Sequence, residues 1–127
     1  MPILLLLLGL LQQKPAPTPP LQPAPGNPVV VVDTSAGPIT IELFKDQAPV
    51  SVENFLQYVK DGFYEGTIWH RVVPGYVIQG GGYTPQLADK PTRAPIQNEA
   101  TNGLSNRKGS VAMARTRAAR RGLQPAV

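Results

Sequence analysis

The first half of the chain changes its apolar period from that of strands to that of a helix. Val29–Val32 is a run of β-branched residues, and Ile39–Leu43 alternates apolar with polar residues. Alternation with period two is typical of a half-buried strand, and the turn formers of Asp33–Pro38 separate the two runs. The pattern therefore predicts a β-hairpin with a longer loop.

A helical spacing follows this hairpin. Pro49 suits the first turn of a helix and Gly62 suits its C-terminal cap, so a helix is predicted over residues 49–61. We expect the apolar face of this helix to cover a sheet. Four residues at positions i, i+3, i+4 and i+7 define that face: Val52, Phe55, Leu56 and Val59.

The run WHRVVPGYVIQGGGY, at residues 69–83, predicts a second hairpin. Ile68–Val73 and Val77–Gln79 are apolar runs of strand length, and Pro74-Gly75 between them is a turn signal. The two strands would therefore fold back on each other.

Several side chains in this run are candidates for function. Arg71 and Gln79 are eight residues apart, and the turn would bring them and Tyr76 to one surface. Taken alone, Arg71 also fits a structural salt bridge, and His70 fits a hydrogen-bonded framework position better than a general base. Gly80–Gly82 lacks the Lys-Ser/Thr pair of a phosphate loop, which favours close backbone packing.

The chain after this run is less regular. Residues 84–110 are rich in Pro, Asn, Gly and polar side chains, and so long an irregular connection in a compact domain is usually functional. Val111–Ala114 predicts a short apolar strand. No periodicity of either kind follows it.

Two segments precede the first predicted strand. Residues 1–13 contain the apolar run Ile3–Leu11, which resembles the hydrophobic region of a secretory signal and is too short for the ~20 residues of a membrane-spanning helix. Residues 14–28 hold seven prolines and no apolar periodicity, which is typical of an extended, solvated linker.

From the signal-like apolar run we expect an exported, periplasmic or extracytoplasmic protein without a stable membrane span. The alternatives are an uncleaved anchor, or a cytoplasmic protein whose apolar start is not a signal.

The composition excludes several kinds of site. The chain has no cysteine and one histidine, so disulfides and thiolate metal sites are excluded, and a histidine-built metal site or catalytic triad is not expected.

Eight acidic and six basic residues precede Arg107, a net charge of −2, whereas six basic residues lie in the last 21 positions. Such a tail can bind nucleic acid or anionic lipid. No aromatic residue follows Tyr83 to stack on bases, so we expect no nucleic-acid partner.

Four blocks of the sequence resemble, in family order, the cyclophilin-type peptidyl-prolyl cis-trans isomerases of bacteria. They lie between Val29 and Thr116 and read TSAGPITIELF, APVSVENFLQYVKDGFYEGT, WHRVVPGYVIQGGG and IQNEATNGLSNRKGSVAMART. The resemblance implies a mainly β fold, an eight-stranded antiparallel closed barrel capped by two helices. It also implies a domain over residues 29–116.

The chemistry that this resemblance implies needs no nucleophile, metal or cofactor. Amide resonance raises a barrier of ~18–20 kcal/mol, and an enzyme need only bind the twisted amide more tightly than the planar forms. The resemblance makes Arg71 the donor to the prolyl nitrogen and Gln79 the residue that orients the substrate backbone. It places Tyr76, Val77 and Ala114 along the substrate groove, with Tyr76 and Val77 where the family commonly has Phe and Met. The implied substrates are proline-containing peptides and unfolded polypeptide clients.

The chain departs from the family pattern at Arg117. The family's Gln-Phe-Phe segment has no counterpart here, nor have the later Trp or Phe, Leu and His that complete its proline pocket. We therefore expect a barrel that is incomplete at its C-terminal end, and an aberrant basic tail over residues 117–127 that a frameshift or fragmentary assembly would explain. An interrupted barrel exposes unpaired strand edges. The alternative to an active isomerase is thus a non-catalytic or unfolded fragment, at most a weak peptide binder.

Overall fold

The regular structure of the described residues consists of three antiparallel strand pairs and one helix. The computed structural model describes residues 22–115 and 123–124. Within these residues β1 pairs with β2, β3 with β4 and β5 with β6, each as a separate two-stranded sheet. The elements are β1 (Val29–Thr34), β2 (Gly37–Glu42), α1 (Pro49–Lys60), β3 (Trp69–Val73), β4 (Val77–Gly80), β5 (Ile96–Gln97) and β6 (Leu123–Gln124). The mainly β prediction is confirmed.

The first hairpin is confirmed, but its predicted long loop is wrong. The ladder continues through the pairs Asp33 with Pro38 and Thr34 with Gly37, which leaves a two-residue turn. The hydroxyl of Thr34 donates to the carbonyl of Gly37 at 2.7 Å and accepts from the amide of Ala36 at 3.1 Å. These side-chain bonds hold a tight turn in a stretch whose composition alone indicates only a loop.

The chain just before β1 is tied to the end of β2. The amide of Asn27 donates to the carbonyl of Ala24 at 3.1 Å and closes a turn. The Glu42 carboxylate then accepts from the Asn27 side-chain amide at 2.7 Å and from the Ala24 backbone amide at 2.9 Å. These bonds lower the pKa of Glu42, the Asn27 bond most of all. The chain is therefore fixed to the first hairpin from Ala24 onward.

The predicted helix is confirmed, and so is its glycine cap. The amide of Gly62 donates to the carbonyl of Val59 at 3.1 Å, and that of Phe63 donates to the carbonyl of Tyr58 at 3.0 Å. This bond pair is the Schellman motif, which requires a left-handed residue after the helix. Gly62 supplies it with φ +65°.

The N-terminus of α1 is capped from a distant part of the chain. Ala48, at the N-cap position, makes no side-chain cap. Instead the Glu99 carboxylate accepts from the amides of Val50 at 3.0 Å and Ser51 at 2.8 Å. Partial burial acts to raise the pKa of Glu99, and the bonds from Ser51 and Val50 outweigh it, so that the pKa lies below its ordinary value. The cap joins α1 to the segment after β5.

The buried face of α1 matches the predicted one at Val52, Phe55 and Leu56, which are buried or half-buried, but not at Val59. Val52 is buried as expected, whereas Val59 is 38% exposed and Tyr58 is 2% exposed. The Tyr58 hydroxyl accepts from the backbone amide of Arg93 at 2.7 Å. Because a long-range bond satisfies its polar end, Tyr58 can be buried where the apolar pattern favours Val59. The face of α1 meets β5 rather than a broad sheet.

The predicted strand at Val111–Ala114 is not formed. This segment has no strand partner in the described part of the chain, and strand propensity depends strongly on cross-strand neighbours, so the apolar run alone did not produce a strand. Two strands do form in this half of the described chain, β5 and β6; they pair with each other, and the sequence pattern indicated neither.

Parts of several predictions lie outside the described residues. These are all of segment 1–13, most of the linker 14–28 and most of the tail 117–127. Among the helices that the structure describes, none has the length and apolar character to cross a membrane.

We predict that Glu99→Ala lowers the free energy of unfolding by about 1 kcal/mol, because two amides at the start of α1 lose their acceptor. The folded-state pKa of Glu99 is lowered. The carboxylate therefore adds to the free energy of unfolding at neutral pH, and this stabilisation is lost as the pH falls through that pKa. Urea titrations followed by circular dichroism should show this difference in free energy of unfolding between the wild type and Glu99→Ala at pH 7. The difference should disappear at acid pH.

The control for this experiment is Glu53→Ala, which removes an exposed carboxylate from the same helix. It should change the free energy of unfolding by less than about 0.5 kcal/mol. Equal losses in the two variants would contradict the capping role.

Candidate active site

The hairpin of β3 and β4 is closed by the predicted Pro-Gly turn. The amide of Tyr76 donates to the carbonyl of Val73 at 3.0 Å, with Pro74 and Gly75 between them. Gly75 has φ +73°, which the third position of a type II turn requires, and proline suits the second position. The turn is thus specified by local sequence.

The register of this hairpin places Arg71 directly opposite Gln79. Val73 pairs with Val77 in the same ladder, and the register shifts by one residue between Trp69 and Arg71. Because side chains alternate along a strand, these four residues share one face of the hairpin. We call this the Arg71 face: Arg71, Val73, Val77 and Gln79.

Arg71 and Gln79 touch through their side chains. The Arg71 Nη1 donates to the Gln79 Oε1 at 3.4 Å, a long hydrogen bond, and Arg71 is exposed while Gln79 is half-buried. All eight acidic side chains belong to the described residues, and none of them forms an ion pair with Arg71. Arg71 therefore has no acidic partner in the described part of the chain with which to form the structural salt bridge that was the alternative. The guanidinium keeps most of its donors for another group.

The structure brings together most, but not all, of the predicted site residues. Tyr76 lies in the turn beside Val77 and is 80% exposed, while Val77 is half-buried on the Arg71 face. Ala114 is half-buried in the irregular segment 111–115. Its place beside the hairpin stays a prediction.

Gly80, the last residue of β4, and Gly81 after it pack closely, as predicted. A Cβ on Gly80 would lie 2.7 Å from the Trp69 ring and 2.8 Å from the Ile68 carbonyl oxygen. A Cβ on Gly81 would lie 3.1 Å from the Tyr64 ring. The base of the hairpin therefore accepts glycine alone at these positions without rearrangement.

An aromatic cluster at the end of α1 supports this base, and the sequence patterns did not indicate it. The ring of Tyr64 lies 5.4 Å from those of Phe55 and Phe63, and the ring of Tyr58 lies 4.6 Å from that of Phe63. Burial, and secondarily Tyr58, raises the pKa of Tyr64 to about 12. The density of aromatic residues between Phe55 and Tyr64 is the one sequence signal that could have identified the cluster.

His70 packs against an aromatic ring, and the hydrogen bond expected of a framework histidine is not seen at its Nδ1. Its ring lies 4.4 Å from that of Tyr83, and its Nδ1 is buried without a partner among the described residues. A hydrogen bond with Asp89, which is also the bridge partner of Tyr83, raises the pKa of Tyr83. His70 thus links the hairpin to the start of the following loop.

That loop is attached to the aromatic cluster by Lys90. Its backbone amide donates to the Gly82 carbonyl at 3.0 Å, and its ammonium group donates to the carbonyl of Phe63. The same ammonium nitrogen lies 4.6 Å from the centre of the Phe63 ring, a cation–π contact. The loop, the cluster and the hairpin are therefore connected behind the Arg71 face.

The Arg71 face combines a fixed positive charge, an amide and apolar side chains. A guanidinium donates hydrogen bonds and stays charged at any working pH, and an amide both donates and accepts. In the described residues no group of three or more His, Asp or Glu side chains is placed to hold a metal. The arrangement suits recognition of an uncharged, carbonyl-rich peptide backbone.

We predict that Gly80→Ala displaces the Trp69 ring, because the added methyl would lie 2.7 Å from it, closer than van der Waals contact allows. Trp69 is the single tryptophan of the chain, so tryptophan fluorescence reports on the surroundings of this one ring. The emission maximum should shift, and the free energy of unfolding should fall by roughly 1–3 kcal/mol.

Gly109→Ala is the matched control. No atom lies within 4 Å of the methyl that this variant adds, so the tryptophan emission should stay unchanged. Because Gly109 has a positive φ of +84°, the free energy of unfolding can still fall. An unshifted emission in folded Gly80→Ala would contradict the close packing.

A known protein family and several known proteins match this chain, and these matches agree with one another. Residues 29–124 match the model of the family described as cyclophilin type peptidyl-prolyl cis-trans isomerase/CLD. Over 90 residues, 71% of this chain, it is 53% identical to a peptidyl-prolyl cis-trans isomerase of Acinetobacter baylyi and 52% identical to peptidyl-prolyl cis-trans isomerase B of Escherichia coli K12. Over 87 residues, 68% of the chain, it is 53% identical to peptidyl-prolyl cis-trans isomerase A of Dickeya dadantii. These matches cover 48%, 55% and 46% of the relatives, so the chain spans about half their length.

Proposed function

Because the chain belongs to the cyclophilin-type peptidyl-prolyl cis-trans isomerase family, we propose that it catalyses cis–trans isomerisation of X-Pro bonds. Its substrates are proline-containing peptides and unfolded polypeptide clients. The observation that carries the proposal is the pairing of Arg71 with Gln79 on an exposed hairpin face.

Arg71 stabilises the twisted amide in the proposed mechanism. Twisting an X-Pro bond removes amide resonance and returns a lone pair to the prolyl nitrogen, with a barrier of ~18–20 kcal/mol. A guanidinium donor aimed at that nitrogen interacts with the twisted state more strongly than with either planar form, so it lowers the barrier. The exposure of Arg71 and its lack of an acidic partner in the described residues support this role.

Gln79 orients the substrate, and nearby apolar groups hold the proline ring. The Gln79 amide reaches Arg71 from the opposite strand, so a peptide that bonds to both groups has its backbone fixed relative to the guanidinium. Tyr76, Val77 and Ala114 line the groove in this proposal. No bond is made or broken in the reaction, so the chemistry needs neither a nucleophile nor a cofactor.

The opposite face of the hairpin has a different place in the proposed fold. Val72 is 60% exposed and Ile78 is 51% exposed, and the two are cross-strand partners. We propose that this face points into a cyclophilin-like barrel of which the described ladders are parts. The apolar run Ile3–Leu11 supports the further proposal that the clients are exported proteins.

Peptide binding without catalysis is the competing function. The observation that favours it is the small core, because the buried apolar side chains of the described residues are Val52 and Tyr58. A site on such a scaffold can bind a peptide loosely and still hold the guanidinium too imprecisely for rate enhancement.

We predict that Arg71→Ala lowers kcat/KM for a short X-Pro peptide on the order of 100-fold, since the donor to the prolyl nitrogen is lost. Exchange spectroscopy by NMR measures the rate on the peptide directly. Arg71→Lys should recover only part of the activity, because an ammonium lacks the planar fork of a guanidinium.

Arg107→Ala is the control for this variant, because it removes an exposed arginine from a separate loop. It should leave the rate unchanged. Peptide binding by the wild-type protein without any rate above background, or a circular dichroism signal that shows no cooperative melting, would favour the non-catalytic alternative.

We also predict that Gln79→Glu impairs activity more than Gln79→Ala does at pH 7. The carboxylate would lie where the amide oxygen now meets Arg71 and would form an ion pair that competes with the substrate. Steady-state kinetics of both variants test this, and a Gln79→Glu enzyme as active as the wild type would contradict the proposed place of Gln79.

A further inference from the structure

We propose that Asn102 is a site of covalent modification, at which a spontaneous deamidation through the Gly103 backbone converts the side-chain amide into a carboxylate. Asparagine is among the chemically labile residues of proteins. The reaction needs water as its only co-reactant, and it is independent of the proposed isomerase function. It acts at the contact that holds the turn after β5 to the chain just before α1.

The Asn102 side chain joins two parts of the chain that are far apart in sequence. Its Nδ2 donates to the backbone carbonyl of Gln47 at 3.1 Å, and Gln47 directly precedes the N-cap position of α1. Its Oδ1 accepts from the backbone amide of Leu104 at 3.1 Å. The amide nitrogen therefore holds the chain before α1, while the oxygen bonds within its own turn.

The bond from Leu104 folds the Asn102 side chain over its own backbone. A bond from the amide of residue i+2 to the side-chain oxygen of residue i defines an Asx-turn. Closing this turn folds the side chain over the Gly103 peptide group, so that Cγ of Asn102 faces the Gly103 nitrogen. The same N–H group would stabilise the negative charge that develops on Oδ1 when Cγ is attacked. The turn therefore both places and activates the carbon that reacts.

Gly103 leaves its backbone nitrogen open to this approach. It has a φ of +82°, and the position that a Cβ would take has no atom of a non-neighbouring residue within 4 Å. Glycine adopts such a conformation readily and has no side chain to hinder ring closure. The nucleophile and the carbon it attacks are thus adjacent in an uncrowded turn.

The reaction passes through a cyclic imide and balances with water alone. The Gly103 nitrogen gives up its proton and attacks Cγ of Asn102, so that a Cγ–N bond forms. The Cγ–Nδ2 bond breaks, and Nδ2 takes up a proton and leaves as ammonia. Water then opens the imide at one of its carbonyl groups. Opening at Cγ leaves aspartate, whereas opening at the backbone carbonyl leaves isoaspartate, whose main chain runs through Cγ.

Either product releases the turn from the chain before α1. Loss of Nδ2 removes the donor to the Gln47 carbonyl, and a carboxylate oxygen in its place would face that carbonyl as one acceptor facing another. Isoaspartate also lengthens the backbone in the turn, where the Asn102 amide donates to the Glu99 carbonyl at 3.1 Å. Because the Glu99 carboxylate caps α1, the modification weakens the support of the helix start.

Asn98 provides a matched reference within the same segment. Its Oδ1 accepts from the backbone amide of Ala100 at 2.9 Å, which is the same Asx-turn bond. The residue that follows Asn98 is Glu99, whose side chain hinders ring closure, whereas glycine follows Asn102. We therefore expect Asn102 to react several times faster than Asn98.

The test is a time course of the full chain in neutral buffer, followed by proteolysis, mass spectrometry and an enzymatic assay for isoaspartate. Aspartate and isoaspartate should accumulate at position 102 faster than at position 98, and faster than in a synthetic peptide of residues 98–106. Asn102→Gln keeps an amide but forms the larger ring less readily, so it should yield no product at position 102 over the same period.

A second measurement follows the consequence for stability. Modified protein, separated from unmodified protein by ion exchange, should unfold at a lower urea concentration than the wild type. Asn102→Asp carries the charge of the normal product and should show a lowered urea midpoint as well.

Three outcomes would overturn the proposal. Equal accumulation at positions 98 and 102 would show that the glycine does not select the site. A rate in the folded chain at or below that of the peptide would show that the fold protects Asn102 instead of activating it. A urea midpoint that is unchanged in both the modified protein and Asn102→Asp would contradict the role given to the Gln47 contact.

Discussion

The close approach of the Gly80–Gly81 backbone to two aromatic rings is the constraint on which the rest of the structure depends. Trp69 packs on Gly80 and Tyr64 on Gly81, 2.7 Å and 3.1 Å from where a Cβ would lie, so a side chain at either position would displace a ring. This contact fixes the base of the β3–β4 hairpin against the aromatic cluster at the end of α1. The position of Arg71 and Gln79 follows, because both lie one or two residues from that base.

Contacts between distant parts of the chain hold the cluster and the helix in turn. Glu99 caps the first turn of α1, the backbone at Arg93 bonds to the Tyr58 hydroxyl, and Lys90 bonds to the Phe63 carbonyl. Each contact spans more than 25 residues of sequence. The chain from Lys90 to Glu99, which includes β5, is therefore attached to α1 and to the aromatic cluster at three points.

What could be predicted from the sequence is what neighbouring residues determine. The Pro74-Gly75 turn and the Gly62 cap each depend on residues within one turn of chain, and both are confirmed. The burial of Tyr58 and the Glu99 cap depend on partners more than 30 residues away, which periodicity does not contain. The strand expected at Val111–Ala114 shows the reverse error, because local strand propensity was present there without a strand partner among residues 22–115 and 123–124.

The folded unit begins at the turn of Ala24–Asn27 and not at the first strand. A truncation placed at Val29, the first strand residue, would remove both amide donors of the Glu42 carboxylate. That carboxylate would be left at the end of β2 with its charge compensated by water alone, and the edge of the first hairpin would lose a brace. A shortened protein that keeps the fold intact should therefore start at or before Ala24, and the five residues ahead of β1 belong to the domain they appear only to precede.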